Sequence, residues 1–316
     1  MNKILIIFFY FTTLHFFSQE QLIRHNLIFG ENELCIKYEI LNSTNSKYDT
    51  KLIIKNKKGN PIFPNEIIGD IKSIKPGKNK QIICKFDTEI KLNKNCIVEL
   101  YIYPSKDSLI NFNKNLNYGF IIDQDFEIYR TIKIGKQIWM AENLRRKEFN
   151  NYEKINFTED LEEWTNSNPK TIYSLSSDTL IFKNASVFYP WNIVNDKRGI
   201  CPFGWHIPKD SEWKLLSNEL KNDNIVNKLI ENNNKQLVNT NSDTTNTNVS
   251  GFTALPKGYI NENGEHVDKN NSCYWWSNSV YYNDFSCYFT LDLKNQVHKN
   301  FNCSQKRGMS VRCVKD

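Results

Sequence analysis

The sequence predicts a chain in two parts, an all-β sandwich followed by an α+β domain with few helices and long loops. Three observations carry that expectation. From about Leu22 to Pro104, short runs rich in β-branched and aromatic residues are separated by turns bearing Gly and Pro. From about Asp123 the texture changes to more aromatics, more Gly and longer loops. Within that second stretch two segments, "DSEWKLLSNEL" and "NIVNKLIENN", show the spacing of helices packed against a sheet.

Lys3 precedes the apolar run "ILIIFFYFTTLHFF", after which Ser18 and a polar stretch follow. A membrane span needs about 20 apolar residues. The run from Ile4 to Phe17 is shorter and suits the apolar region of a secretory signal with cleavage after Ser18. Residues 1–18 are therefore expected to be an export signal, and the body to be soluble, without a membrane span, and secreted to the extracellular space or the cell envelope surface. No Cys follows the apolar run closely, which argues against a lipid anchor. The 316 residues are 40% hydrophobic and 13% aromatic, enough for cores in two domains. The formal charge of +6 falls to +5 without Lys3, and with no dense Lys/Arg block it reads as surface solubility rather than nucleic-acid binding. In an oxidising compartment the eight Cys are disulfide material.

The first domain is expected over residues 19–122. Its strands are "ELCIKYEIL", "TKLIIKN", "KQIICKF" and "CIVELYIY", with turns at "KKGNP" and "KPGKN". Cys84 and Cys96 fall on consecutive expected strands and are expected to bridge, leaving Cys35 buried and reduced, although spacing does not fix connectivity. The order of these segments resembles an immunoglobulin-like module.

The second domain is expected over residues 123–316. The acidic trio Asp123, Asp125 and Glu127 has the alternate spacing of a calcium loop but lacks its Gly and terminal Glu, so a solvated linker is expected. "YRTIKIG" and "KQIWM" form a hairpin around Gly135 and Lys136. In the first helix Trp213, Leu216 and Leu220 share one face, with Asp210 or Ser211 as the cap. In the second, Ile225, Val226, Leu229 and Ile230 recur at similar spacing. Residues 232–250 are rich in Asn and Thr and read as an exposed loop. From Gly251 onward strands dominate: "GFTALPKGYIN", "CYWWSNS", "FSCYFTLDLK", "QVHKNFNC" and "MSVRCVKD".

Five of these segments, "TIKIGKQIWMAENL", "ICPFGWHIPKDSEWKLL", "SGFTALPKGY", "YWWSNS" and "GMSVRCVKD", occur in an order that resembles the Fibrobacter succinogenes major paralogous domain. The resemblance implies a secreted bacterial protein with a C-type-lectin-like fold, in the group that includes the formylglycine-generating sulfatase-modifying enzymes. It supplies no reaction. The sequence departs from the pattern at Phe126, where Gly is usual, and at Lys209, where Ser or Thr usually caps the helix; "IYSLSSDTLIFKNASVFYPWNIV" matches only at its end.

Cys201 precedes the first helix and Cys313 lies in the last strand, so a bridge between them ties the two ends of the domain together. Closing so long a loop is worth about 4 to 5 kcal/mol in the chain-entropy model. Trp205 and Trp213 then read as core aromatics around it. His206 shows no partner at metal spacing and no triad, and reads as structural. Two pairings stay open for the late Cys. A hairpin around Lys294 to Gln296 sets Leu293 opposite Val297 and Cys287 opposite Cys303. Alternatively "CYWWSNSVYYNDFSC" resembles the paired-Cys loop of C-type lectins and pairs Cys273 with Cys287. That resemblance makes Asn283 and Asp284 candidate calcium ligands. Its Glu-Pro-Asn partner is missing and a hard cation takes about six to eight oxygens, so no cofactor is expected.

"YWWSNSVYY" is the expected ligand surface, with Trp275, Trp276, Tyr281 and Tyr282 as its contacts. Neighbouring strand residues point to opposite faces, so Trp275 and Trp276 cannot share one core, and one is expected at a surface unless the sheet is covered on both sides. The expected function is a non-enzymatic recognition or adhesion module for an extracellular glycan or protein. The alternative is a formylglycine-generating-type copper oxidase acting on peptidyl cysteine, although the Cys spacing of that enzyme group is absent. No catalytic residue is assigned.

Overall fold

The structure, a computed structural model, describes residues 4–8, 25–41, 47–87, 90, 92, 95–105, 110–166, 171–174, 187–221, 224–231, 247–282, 285–294 and 297–316. It is mostly β-sheet, with four short helices among the described residues. The chain divides into two compact units: residues 1–109 with 119–128, and residues 110–118 with 129–316.

The first unit holds β1 (Ile4–Phe8), β2 (His25–Phe29), β3 (Glu33–Ile40), β4 (Tyr48–Lys55), β5 (Glu66–Gly69), β6 (Gly77–Lys85), β7 (Ile97–Pro104) and β8 (Gly119–Ile122). They form two antiparallel groups, β1-β7-β4 and β8-β5-β6-β3-β2. Alternation writes the inner faces: Leu34, Ile36, Tyr38 and Ile40 of β3 are buried, and share one core with Leu52, Ile54, Val98, Leu100 and Ile102. β1, which falls within the expected export signal, lies antiparallel to β7.

The expected Cys84–Cys96 bridge is not formed. Cys84 is buried in β6, opposite Leu34 and Ile67, whereas Cys96 is half-buried just ahead of β7 in the other sheet. Strands consecutive in sequence here belong to different layers. Cys35 is also free, and half-buried rather than buried. Asp123 is fully buried, and its Oδ1 accepts the N–H groups of Asp125 and Glu127 at 2.9 Å each. The acidic trio is therefore a built turn rather than a solvated linker. Phe126, at the position where Gly is usual, holds the left-handed conformation (φ +60°), and its ring lies 5.5 Å from that of Phe63.

The second unit continues with β9 (Ile128–Ile134), β10 (Gln137–Met140), β11 (Asn156–Thr158), α1 (Leu161–Asn166), β12 (Thr171–Ser174), β13 (Val187–Pro190), α2 (Trp191–Val194), β14 (Trp205–His206), α3 (Asp210–Glu219) and α4 (Ile225–Leu229). Then come β15 (Tyr259–Ile260), β16 (His266–Val267), β17 (Ser272–Tyr282), β18 (Phe285–Asp292), β19 (Val297–Ser304), β20 (Gly308–Met309) and β21 (Val314–Lys315). Three groups of strands result: β14-β21-β10-β9, β11-β12-β13-β20-β15-β16 and β17-β18-β19. The β9–β10 hairpin turns at Gly135 and Lys136, with Ile134 opposite Gln137 and Gly135 at φ +58°.

The buried face of α3 carries Trp213 and Leu216, with Leu220 packed beside them. Trp213 lies parallel to Phe289 at 4.6 Å and meets Trp139 at 4.7 Å and Trp275 at 5.8 Å. The cap of α3 is not Asp210 or Ser211. It is Lys209, whose backbone N–H donates to the Glu212 carboxylate at 2.8 Å, while Asp210 sits in the first turn. Ile225, Val226, Leu229 and Ile230 at α4 are buried as their spacing demands. Near the end of the expected exposed loop Thr247 and Asn248 are buried, whereas Val249 is exposed and Ser250 half-buried; residues 232–246 lie outside the described residues. No helix among the described residues is long and apolar enough to cross a membrane.

Candidate functional site

The β17–β18–β19 sheet carries most of the residues that the sequence marked. Directly opposed residues share a face, so the registers Trp275↔Phe289 and Trp276↔Tyr288 put the two tryptophans on opposite sides. Both are fully buried, so of the two alternatives the one with the sheet covered on both sides holds, and neither tryptophan is a surface contact. Trp275 points to the α3 side, packs against Trp213 and Phe252, and donates its Nε1–H to Asn143 Oδ1 at 2.9 Å. Trp276 points the other way, edge-on to Trp191, and donates to the Tyr189 carbonyl at 2.7 Å. At these positions the sheet is covered on both sides.

The exposed aromatics lie further along. Two register shifts between Trp276 and Tyr282 break the ladder, and at the second of them Tyr281 and Tyr282 are 66% and 67% exposed. Val280 and Phe285 beside them, and Phe301 on β19, are exposed too. On the Trp276 side a row of rings crosses the strands. Tyr259 of β15 lies 4.7 Å from Tyr274, Tyr274 lies 5.9 Å from Tyr288, and Tyr288 lies 6.0 Å from its register partner Phe301. The three tyrosines are half-buried. The Tyr274 hydroxyl donates to Asp268 Oδ2 at 2.6 Å, and Arg307 Nε donates to Glu262 Oε1 at 2.9 Å while its guanidinium lies 5.1 Å from the Tyr259 ring. Burial, with Cys303 nearby, pushes the Tyr288 phenol up to about 12, and burial with the Asp268 contact raises Tyr274 as well. Both stay neutral at physiological pH.

The hairpin sets Asp292 opposite Val297, one residue away from the expected register. Cys287 therefore faces Asn302, Cys303 faces Ser286, and no bridge forms. A one-residue slip sends the two thiols to opposite faces. Cys287 is near Asp210 and Lys214 at α3, whereas Cys303 is near Arg307 and Glu262. Cys273 is buried and free, so the alternative bridge to Cys287 is absent as well. Burial raises all three thiols, Cys303 to about 12, which leaves them protonated at neutral pH.

A second cluster sits where α3 begins. Cys201 and Cys313 are joined, with the Cα atoms 6.0 Å apart across a sequence separation of 112. His206, read as partnerless, is clasped by two carboxylates: its Nδ1 lies 2.5 Å from Asp316 Oδ1, and its Nε2 lies 2.9 Å from both oxygens of Glu212. Partial burial opposes its charge, but the hydrogen bonds to Asp316 and Glu212 prevail and raise its pKa above the ordinary value. Sequence reasoning missed this clasp. Glu212 also binds the helix cap, and Asp316 reaches His206 only because β14 pairs with β21.

Asn283 and Asp284, the candidate calcium ligands, lie outside the described residues. Among the described residues no group of three or more His, Cys, Asp or Glu is placed to hold a metal ion. No curated protein and no solved structure matches the chain. The family description "Fibrobacter succinogenes major domain" matches residues 132–315, more than half of the chain, from the β9–β10 hairpin through α3 to the last strand. The chain belongs to the Fibrobacter succinogenes major domain family.

Proposed function

We propose that this is a secreted or cell-surface recognition module without enzymatic activity, in which an immunoglobulin-like sandwich accompanies a lectin-like domain that binds an extracellular glycan or protein. The observation that carries the reading is the gathering of Val280, Tyr281, Tyr282, Phe285 and Phe301, all exposed, on one three-stranded sheet. Tyr282 and Phe285 are register partners where β17 meets β18, and exposed apolar side chains gathered at such a strand end mark interaction sites. The apolar run Ile4–Phe17 and the joined Cys201–Cys313 pair support an oxidising destination. The copper oxidase is the weaker reading. Such chemistry needs two thiols converging on one ion, and Cys287 and Cys303 diverge to opposite faces.

Labelled protein titrated over an array of immobilised glycans and a panel of extracellular-matrix proteins tests the proposal. Saturable binding is expected, weakened about tenfold or more in a Tyr281→Ser/Tyr282→Ser variant with unchanged circular dichroism. Absence of saturable binding on both surfaces, or binding indifferent to that variant, overturns it.

A further inference from the structure

We infer that the rings of Tyr259, Tyr274, Tyr288 and Phe301 form a stacking track for an uncharged polysaccharide laid across the strands, an inference that rests on the recognition reading and names its ligand class. The row runs from β15 over β17 and β18 to β19, with steps of 4.7, 5.9 and 6.0 Å between ring centroids. The rings are tilted to one another by 55°, 36° and 40°, and each step is comparable with the length of one pyranose residue, so a chain that twists from sugar to sugar meets the rings in succession. A sugar offers an apolar C–H face to an aromatic ring, while its hydroxyls need partners at the rim. The rim supplies them. Asp268 accepts the Tyr274 hydroxyl and Glu262 accepts from Arg307, and each carboxylate has further lone pairs for a sugar hydroxyl.

Two features choose among ligands. The rim pairs two carboxylates with one guanidinium, and Glu262 already engages that guanidinium, so an acidic glycan meets net repulsion. A row one ring wide and four rings long also has the shape of an extended chain, whereas a protein interface concentrates a broad apolar centre inside a polar rim. The exposed Phe301, 44% accessible at the end of the row, lets the chain run on past the sheet.

Affinity electrophoresis of the full chain through native gels containing hydroxyethylcellulose, xylan, galactomannan or mixed-linkage β-glucan tests the track, with alginate and polygalacturonate as acidic comparisons. Retardation by at least one uncharged polysaccharide and by neither acidic one is expected, with the apparent Kd raised about tenfold in Phe301→Ala and in Tyr288→Ala. Phe301 is exposed, so its truncation leaves folding intact, and Phe301→Tyr, which keeps a ring, retains binding. Failure of every uncharged polysaccharide to retard the protein, preference for the acidic ones, or equal retardation of the wild type and both alanine variants overturns the inference. If the protein then still shows saturable binding that depends on Tyr281 and Tyr282, the recognition reading stands and only the ligand class falls.

Discussion

In the first unit the core is aliphatic and tyrosyl, laid down by alternation along strands of eight or nine residues such as β3, β4, β6 and β7. In the second unit several strands are only two residues long, all seven tryptophans lie between Trp139 and Trp276, and Arg130, Arg145, Arg146 and Arg312 are buried. The difference follows from where backbone groups find partners. Long strands satisfy one another's N–H and C=O groups through the ladder. Loops folded into an interior cannot, so side chains take over. Arg312 donates to the carbonyls of Phe252 and Thr253 and, at 2.6 Å, to Asn143 Oδ1; Arg146 donates to the Phe149 carbonyl; the Tyr189 hydroxyl donates to the Arg146 carbonyl. A domain with long loops and short strands is held by polar ties and one covalent one.

Removing the covalent tie is the strongest way to test that contrast. Cys201→Ser with Cys313→Ser, or reduction of the native protein, releases a constraint on a separation of 112 residues and should cost about 4 to 5 kcal/mol. Because every tryptophan belongs to the second unit, the urea transition read by tryptophan fluorescence reports that unit selectively. It should move to lower urea under reduction. The same reductant should leave the stability of the first unit unchanged, since Cys84 and Cys96 are unbridged. A fluorescence transition insensitive to reductant would show that the packed tryptophans alone suffice.

Arg312→Met comes next. It strips buried carbonyls of Phe252 and Thr253 of their donor and should cost about 3 kcal/mol. Burial presses the Arg312 guanidinium down to about 9, so it remains charged at neutral pH, and the aromatic faces of Phe252 and Trp275 flank it. Arg312→Lys should recover little, because a point charge cannot reach several acceptors in a fork. Full recovery by Lys would show that charge, not geometry, matters there.

The parts legible in the sequence are those whose signal is local. The periodicity of Trp213, Leu216 and Leu220 gave α3 its buried face, and the dipeptide Gly135-Lys136 gave the β9–β10 turn. The Cys201–Cys313 pair followed from redox compartment and position. What stayed hidden depended on contacts between distant segments or on a single residue of register. The β18–β19 pairing differs from expectation by one residue in the connecting loop, enough to part Cys287 from Cys303. Trp275 and Trp276 alternate as strand residues must, yet alternation cannot say that both sides are covered. Of the marked surface residues, Tyr281 and Tyr282 are exposed at the second register break.

In the first unit the counterpart of Arg312 is a single carboxylate. Asp123→Ala would leave the N–H groups of Asp125 and Glu127 without their acceptor in a buried turn and should cost about 2 kcal/mol. Amide hydrogen exchange at Asp125 and Glu127 should accelerate accordingly. Unchanged protection at both would mean that the Phe126 turn is fixed by ring packing instead.

The smallest effect tests whether the polar ties of the second unit extend to its surface. His206 joins Glu212 at the start of α3 to Asp316 beyond β21, close to the disulfide on Cys313. Its folded pKa is raised, so the folded state holds the proton more tightly than the unfolded chain does. The resulting stability is fully present below about pH 6.5, the unfolded value, and is lost as pH rises through the folded pKa. The ring and the Asp316 carboxylate are partly solvated, so the contribution should stay below about 1 kcal/mol and shrink with added salt. The urea midpoint read by tryptophan fluorescence should therefore fall slightly from pH 6 to pH 8 in the wild type and show a smaller fall in His206→Gln. Equal pH slopes in the two proteins would show that the clasp adds nothing and that the disulfide and the pairing of β21 with β14 and β10 hold the final strand.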